Sequence, residues 1–332
     1  MANCHKNFFT ATDSYHSKVT LDGTKKESLK TSRNKLRAHL KKEFSEKNRP
    51  SIKFQMQGSF AMKTTVNPLN GDYDIDDGLY FKPQLEERPT PETVHRWVTD
   101  AAASYPTVDP PVDKNKCVRV PFKAGYHIDI PIYDLVKEDD DNALPYLAVK
   151  GDGWIFSDPK KLTGWFDDEV SKHNNNGQLR RVVRYLKAWA DFENQSSRSK
   201  IPCGLILTIL AAEEFQDDYG DNDDEAFGNT ASVIRERLLD DDSISNPVDE
   251  DENLRDRISD AQFNNFMERL RVLVESADTA IDHQSEEEAA KEWKKRLGDR
   301  FPVYEDEDST KAKTFGAVTV GNAIKVNTGS AT

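Results

Sequence analysis

The stretch Tyr73–Phe81 (YDIDDGLYF) constrains this chain more than any other. Acids alternate there with apolar residues, and a β-strand sends residues i and i+2 to the same face. Asp74 and Asp76 therefore project side by side, with Tyr73 and Ile75 on the opposite face and Asp77 turned away from the pair. Asp72 has the same parity but lies beside Gly71 in a loop, which leaves it loosely fixed. Two adjacent carboxylates repel one another unless a cation lies between them. Hard oxygen donors on a rigid strand suit Mg²⁺, held together with substrate phosphates.

The flanking segments supply further pieces. Ser51–Gln57 alternates as a strand, with Ile52, Phe54 and Met56 on one side, and Gly58-Ser59 then opens a short helix over Phe60–Thr65. A glycine–hydroxyl turn at such a start exposes N–H and O–H donors that suit a phosphate. The spacing of Val94, Trp97, Val98 and Ala101 predicts a helix over Pro91–Ala103. Cys117–Phe122 and Tyr126–Leu135 read as two strands about a turn at Lys123-Ala124-Gly125. The second puts His127, Asp129 and Tyr133 on one face and Ile128, Ile130 and Ile132 on the other. A lone strand acid such as Asp129 is an exposed edge residue, a paired buried one, or the third donor to a cation shared with Asp74 and Asp76. Only a partner or a cation relieves the cost of burying it.

Elsewhere the pattern is helical. Residues 1–22 are polar and read as irregular, and Thr24-Lys25-Lys26-Glu27 reads as a capping box. It opens a helix that buries Leu29, Leu36, Leu40 and Phe44 and ends at Asn48-Arg49-Pro50. Lys30, Arg33, Arg37 and Lys41 form a basic stripe on it, either a solvated face or a surface for an acidic ligand. Beyond Asp158-Pro159 helical periodicity dominates, over residues 160–174, 178–193, 202–217, 229–239, 259–281 and 285–297. The acidic runs Asp139–Asp141, Asp217–Glu225, Asp240–Asp242, Asp249–Glu252 and Glu286–Glu288 fall mostly at the joints. No apolar residues frame them, so they read as solvated loops and helix starts. Arg180, Arg184 and Lys187 share one helix face, which is either a surface bridging to nearby acids or, opposite the strand acids, a triphosphate clamp. Cys203 opens the most apolar helix and reads as a packing residue rather than a nucleophile. The expected organisation is 1–158 as a sheet-bearing core, 159–305 as a helical domain completing its pocket, and 306–332 as a flexible tail.

Composition narrows the function classes. A net charge of −13 argues against a general nucleic-acid coat, which needs a basic surface. It leaves a nucleotide substrate open, because a bound cation supplies local positive charge. Cys4, Cys117 and Cys203 show no disulfide or metal-ligand spacing, which fits a reducing compartment. The run Cys203–Ala212 is too short to span a bilayer, and residues 1–20 lack a secretory pattern. A soluble cytoplasmic protein is expected.

Gln57-Gly58-Ser59-Phe60, Asp74-Ile75-Asp76-Asp77-Gly78 and His127-Ile128-Asp129-Ile130-Pro131 together resemble the motifs of bacterial cyclic-oligonucleotide synthases. Within the polymerase-β-like nucleotidyltransferases, these are related to animal cyclic GMP-AMP synthase and oligoadenylate synthase. The helix Leu179–Trp189 and Gly298-Asp299-Arg300-Phe301-Pro302 also resemble that family, the subgroup making cyclic GMP-AMP in anti-phage defence above all. The resemblance implies an α+β fold with a mixed central sheet, flanking helices and a C-terminal helical domain. It implies that Asp74, Asp76 and Asp129 bind two Mg²⁺ ions, with Mn²⁺ as a substitute. Gln57, Gly58, Ser59, Arg184, Lys187 and Cys203 are then the expected nucleotide contacts, Cys203 standing where a hydroxyl residue is usual. ATP and GTP are the expected substrates and an effector bound by the cyclic product the expected partner, with no DNA or membrane required. A relative's folate-like regulator suggests an acidic effector for the stripe on the first helix. Linear oligoadenylate synthesis, protein nucleotidylation and non-catalytic nucleotide sensing are the competing readings.

Overall fold

In a computed structural model, residues 2–81, 87–107, 109–137, 143–173, 177–196 and 200–305 are described. The run Asp139–Asp141 and the tail expected from 306 lie outside them. The N-terminal segment is more ordered than its polarity suggests. It forms a π-helical turn (Lys6–Thr10) and a short helix α1 (Tyr15–Val19). Phe8, Tyr15 and Val19 are fully buried among residues of the C-terminal helices, so packing assigns this segment to the helical half. Helix α2 (Gly23–Glu46) buries Leu29, Leu36, Leu40 and Phe44 as their spacing predicts. Its cap is Asp22 rather than Thr24: the Asp22 carboxylate accepts the Lys25 amide at 2.8 Å.

The sheet region follows as β1 (Ile52–Gln57), α3 (Gly58–Ala61), β2 (Tyr73–Phe81), α4 (Pro91–Ala103), β3 (Val112–Asp113), β4 (Val118–Phe122), β5 (Tyr126–Ile130), β6 (Ile132–Lys137), β7 (Ala143–Val149) and β8 (Gly153–Phe156). The strand order is β3-β4-β5-β2-β6-β7-β8, with β1 antiparallel to β2. The long strand expected over Tyr126–Leu135 is two strands, because Pro131 has no N–H for the ladder. Both halves run parallel to β2, and the Pro131 carbonyl accepts the Leu79 amide at 2.8 Å across the break. The apolar parity of Ile75, Leu79, Ile128 and Ile130 packs against α2 and α4. That burial leaves the opposite parity to face the second half of the chain.

The second half comprises α5 (Pro159–Lys172), α6 (Gln178–Ser196), α7 (Gly204–Glu214), α8 (Asp223–Asp240), a hairpin of β9 (Ser245–Asn246) and β10 (Asp249–Asn253), α9 (Asp260–Asp282) and α10 (Glu286–Leu297). Helix α8 begins six residues before the expected 229, inside an acidic run, because two of those acids are buried and partnered. Asp223 accepts Arg181 through both oxygens at 2.7 Å and the Tyr185 hydroxyl at 2.7 Å. Asp224 accepts the Cys4 amide at 2.7 Å, which ties the N-terminus to α8. Removing one partner of a buried pair strands the other charge, so Asp223→Ala is expected to cost about 3–5 kcal/mol in urea unfolding. A loss within experimental error would show that the Arg181 charge finds another partner. Among the described residues no helix is long and apolar enough to cross a membrane.

Candidate active site

The parallel pairing of β2 with β5 sets Asp74 opposite His127 and Asp76 opposite Asp129. Paired residues on neighbouring strands share a face, so these four side chains form one patch on the sheet face away from α2 and α4. His127 Nε2 lies 3.8 Å from both Asp74 Oδ2 and Asp129 Oδ1. Its Nδ1 donates to Asp72 Oδ1 at 2.9 Å. One ligand atom each from Asp74, His127 and Asp129 falls within 4.8 Å of the others. Asp129 is also a paired acid: Arg119, opposite it on β4, donates Nε to Oδ1 and Nη2 to Oδ2, both at 2.8 Å.

Burial first, then the charges of Asp74 and Asp129, push the Asp76 carboxyl up to about 8, against the pull of Arg119 and Lys187. Asp74 is raised for the same leading reason, with Asp129 and Asp72 adding and His127 opposing. The sign follows directly. A carboxyl whose pKa is higher folded than unfolded destabilises the fold increasingly as pH rises from about 4 to about 8. A cation that holds the ionised form must displace that proton. Divalent-cation affinity is therefore expected to rise about 50-fold between pH 6 and pH 8, measured by calorimetric titration. A flat profile would mean that Asp76 is not a ligand. The donor set of clustered carboxylates with one buried imidazole fits a divalent ion.

The turn before β2 is shaped around the same acid. Gly58 has a φ of +66°, and a Cβ placed there would stand 2.0 Å from Asp76 Oδ2. The Gln57 side chain is anchored beneath the turn: its Nε2 donates to the Tyr133 hydroxyl at 3.0 Å and its Oε1 accepts from Tyr80 at 3.4 Å. Ser59 Oγ pairs with Thr65 Oγ1 at 3.1 Å. Above them opens a cleft of about 1140 Å³, lined by Gly58, Ser59, Asp74 and Asp76 on one side and Lys187 and Cys203 on the other. Lys187 Nζ donates to Thr64 Oγ1 at 3.0 Å, and burial, with Arg184 adding, pushes its ammonium down to about 8. Cys203 is the exposed N-cap of α7, and its side chain makes no capping bond.

The expected three-residue clamp on α6 is divided. Arg184 is not among the residues lining the cleft. Its guanidinium donates to the Lys63 carbonyl and meets His16 Nε2 at 3.3 Å. Arg180 reaches the Met62 carbonyl at 3.3 Å and Asp167 at 2.5 Å. Helical spacing puts the three on one face, but a turn of the Met62–Lys63 backbone meets its N-terminal part first. The two arginines brace the loop that carries Thr64, and Lys187 alone of the three lines the cleft. On α2, Arg37 donates Nε to the buried Asp77 at 2.7 Å, and Arg33 Nη1 meets Met56 Sδ at 3.1 Å. Asp77 thus faces away from Asp74 and Asp76, as its parity requires. The acidic run Asp249–Glu252, expected to be a solvated joint, forms most of β10, and its Asp249, Asp251 and Glu252 line the cleft with Asn246 and Arg257. Its sequence gives no sign of this, since Ile244 and Val248, which are buried there, lie outside the run. The sequence alone gives His127 no role, although alternation along the strand puts it on the face of Asp129.

Comparison with known proteins agrees with this architecture. The pattern of the family described as "Cyclic GMP-AMP synthase DncV-like, nucleotidyltransferase domain" matches residues 52–133. That of "Cyclic GMP-AMP synthase, C-terminal domain" matches residues 176–308. A cyclic GMP-AMP synthase of Escherichia albertii is 28% identical over 223 residues, covering 65% of this chain and 48% of that protein. A c-di-GMP synthase of Roseivirga ehrenbergii is 24% identical over 233 residues, covering 62% and 61%. The match therefore spans about half of the first relative's length and less than two thirds of the second's. The crystal structure of Vibrio cholerae DncV cyclic AMP-GMP synthase in complex with nonhydrolyzable GTP superposes with a TM-score of 0.76 at 20% identity, over 92% of this chain and 100% of that one. With both domain patterns matched in order and about two thirds of its residues covered between them, the chain belongs to the DncV-like nucleotidyltransferase family.

Proposed function

We propose that this chain is a Mg²⁺-dependent nucleotidyltransferase that condenses nucleoside triphosphates, ATP and GTP among them, into a cyclic di- or trinucleotide. The observation that supports this reading is that Ser59, Asp74 and Asp76 line one cleft with Lys187 across from them, while Asp129 pairs with Asp76 on the neighbouring strand. Asp74 and Asp76 hold two divalent ions, and Asp129 joins them on the acceptor side. When bound, such ions lower the pKa of an acceptor ribose hydroxyl and offset the charge of the leaving pyrophosphate. The protein's part is positioning and charge. Ser59 and Lys187 orient the donor triphosphate while Gly58 lets it approach the acids. Arg119, donating to both oxygens of Asp129, holds that carboxylate in place on the sheet face. Because relatives bear the names of different products, the identity of the product is read as a matter of base contacts rather than of the three acids.

The product is read as a second messenger for a downstream effector in anti-phage signalling in the cytoplasm, on the strength of the family alone. A small acidic regulator docked on α2 completes the proposal. With Arg37 committed to Asp77, it would have to rely on Lys30, Arg33 and Lys41.

The test incubates the protein with all four nucleoside triphosphates and Mg²⁺, followed by phosphatase treatment and mass analysis. Phosphatase-resistant cyclic products are expected. Chains with free ends, or label on protein, would overturn cyclisation in favour of linear synthesis or protein nucleotidylation. Lys187→Ala is expected to raise the KM for the donor nucleotide about 10- to 100-fold with a smaller change in kcat, because a ground-state phosphate contact is lost. An unchanged KM would remove Lys187 from the triphosphate.

A further inference from the structure

We infer that His127 is itself a metal ligand, binding through Nε2 the cation shared by Asp74 and Asp129, so that the site is mixed nitrogen and oxygen and favours Mn²⁺ over Mg²⁺. The inference rests on the proposed nucleotidyl-transfer site for its cation, and goes beyond that site's three acids.

Four observations carry it. His127 is 6% exposed, and its Nε2 is buried without a hydrogen-bond partner among the described residues. Such an orphan polar atom calls for a ligand. Nε2 stands 3.8 Å from each of two carboxylates, beyond hydrogen-bond reach of both. The other ring nitrogen donates to Asp72 Oδ1 at 2.9 Å, which fixes the tautomer and turns the Nε2 lone pair towards Asp74 and Asp129. A carboxylate behind one imidazole nitrogen is the usual support for a metal on the other. Finally, Arg119 engages both oxygens of Asp129, which takes up donor capacity that an all-acid site would use. A nitrogen donor shifts preference away from Mg²⁺ towards the first-row transition ions, Mn²⁺ among them, whereas all-oxygen sets hold Mg²⁺ and Mn²⁺ alike. Asp72 is then a positioning residue for His127.

The test uses the full chain, Mn²⁺ alone, and pulsed electron paramagnetic resonance on protein made with natural or ¹⁵N-labelled histidine. The expected result is a directly bound ¹⁴N coupling in the Mn²⁺ spectrum that changes to ¹⁵N with the label and vanishes in His127→Ala. His127→Ala and Asp72→Ala are expected to weaken Mn²⁺ binding about tenfold or more, and to narrow the preference for Mn²⁺ over Mg²⁺ in the case of His127→Ala. The labelled native protein decides the matter even if the variants fail to fold. Bound Mn²⁺ without a nitrogen coupling, a coupling that persists in folded His127→Ala, or no Mn²⁺ binding would overturn the assignment. Bound Mn²⁺ without nitrogen leaves the nucleotidyl-transfer reading intact. Nitrogen coupling in a protein that forms no cyclic product supports the ligand and overturns the activity.

Discussion

Asp76→Asn is expected to reduce nucleotidyl transfer by at least about 10³-fold while making the metal-free protein more stable. Both effects have one cause. Asn occupies the same volume beneath Gly58, so the β2 register and the turn are unchanged, but the negative charge is gone. Without it one of the two carboxylates proposed to hold the ions is missing, and the leaving pyrophosphate loses the charge that the site would have gathered. In the absence of metal the native carboxyl is pressed by burial and by Asp74 and Asp129, which is why it is pushed up to about 8. A neutral amide relieves that pressure by about 1–2 kcal/mol at pH 8. The gain should fall towards zero near pH 4, below which the carboxyl is protonated in the folded and the unfolded chain alike. Thermal melts with chelator at the two pH values, alongside product assays, measure both effects. Undiminished synthesis, or a stability gain that ignores pH, would remove Asp76 from the centre of the site.

Gly58→Ala is the second large effect. At a φ of +66° an alanine pays the left-handed penalty of about 1–2 kcal/mol. Its Cβ also lands 2.0 Å from Asp76 Oδ2, a distance no real contact allows. Either the turn lifts or the carboxylate swings aside, and a misplacement of about 1 Å at a reacting centre can cost 10²-fold in rate. Loss of about 100-fold in kcat with a folded protein is expected. Gly71→Ala is the control, since φ is +74° there but nothing lies within 4 Å of the added Cβ. It should cost similar stability and little activity. Equal losses of activity in both would mean that backbone strain, not the approach to Asp76, is what matters at Gly58.

Periodicity within single segments is what could be read directly from the residues. Strand parity gave the face shared by Asp74 and Asp76, the opposite orientation of Asp77, and the common side of His127 and Asp129. Helical spacing gave the buried face of α2 and the alignment of Arg180, Arg184 and Lys187. Each of these follows from backbone geometry acting over a few residues. What those faces meet depends on long-range packing. The β2–β5 register pairs Asp74 with His127 and Asp76 with Asp129, and no local pattern encodes that pairing of strands about fifty residues apart. The Met62–Lys63 backbone took Arg180 and Arg184 from the cleft, Arg181 drew Asp223 out of an acidic run into the core, and Phe8 and Tyr15 joined helices far along the chain. Alternation and helical period are properties of one segment, whereas a register, an ion pair or a shared core depends on which distant segment arrives alongside it.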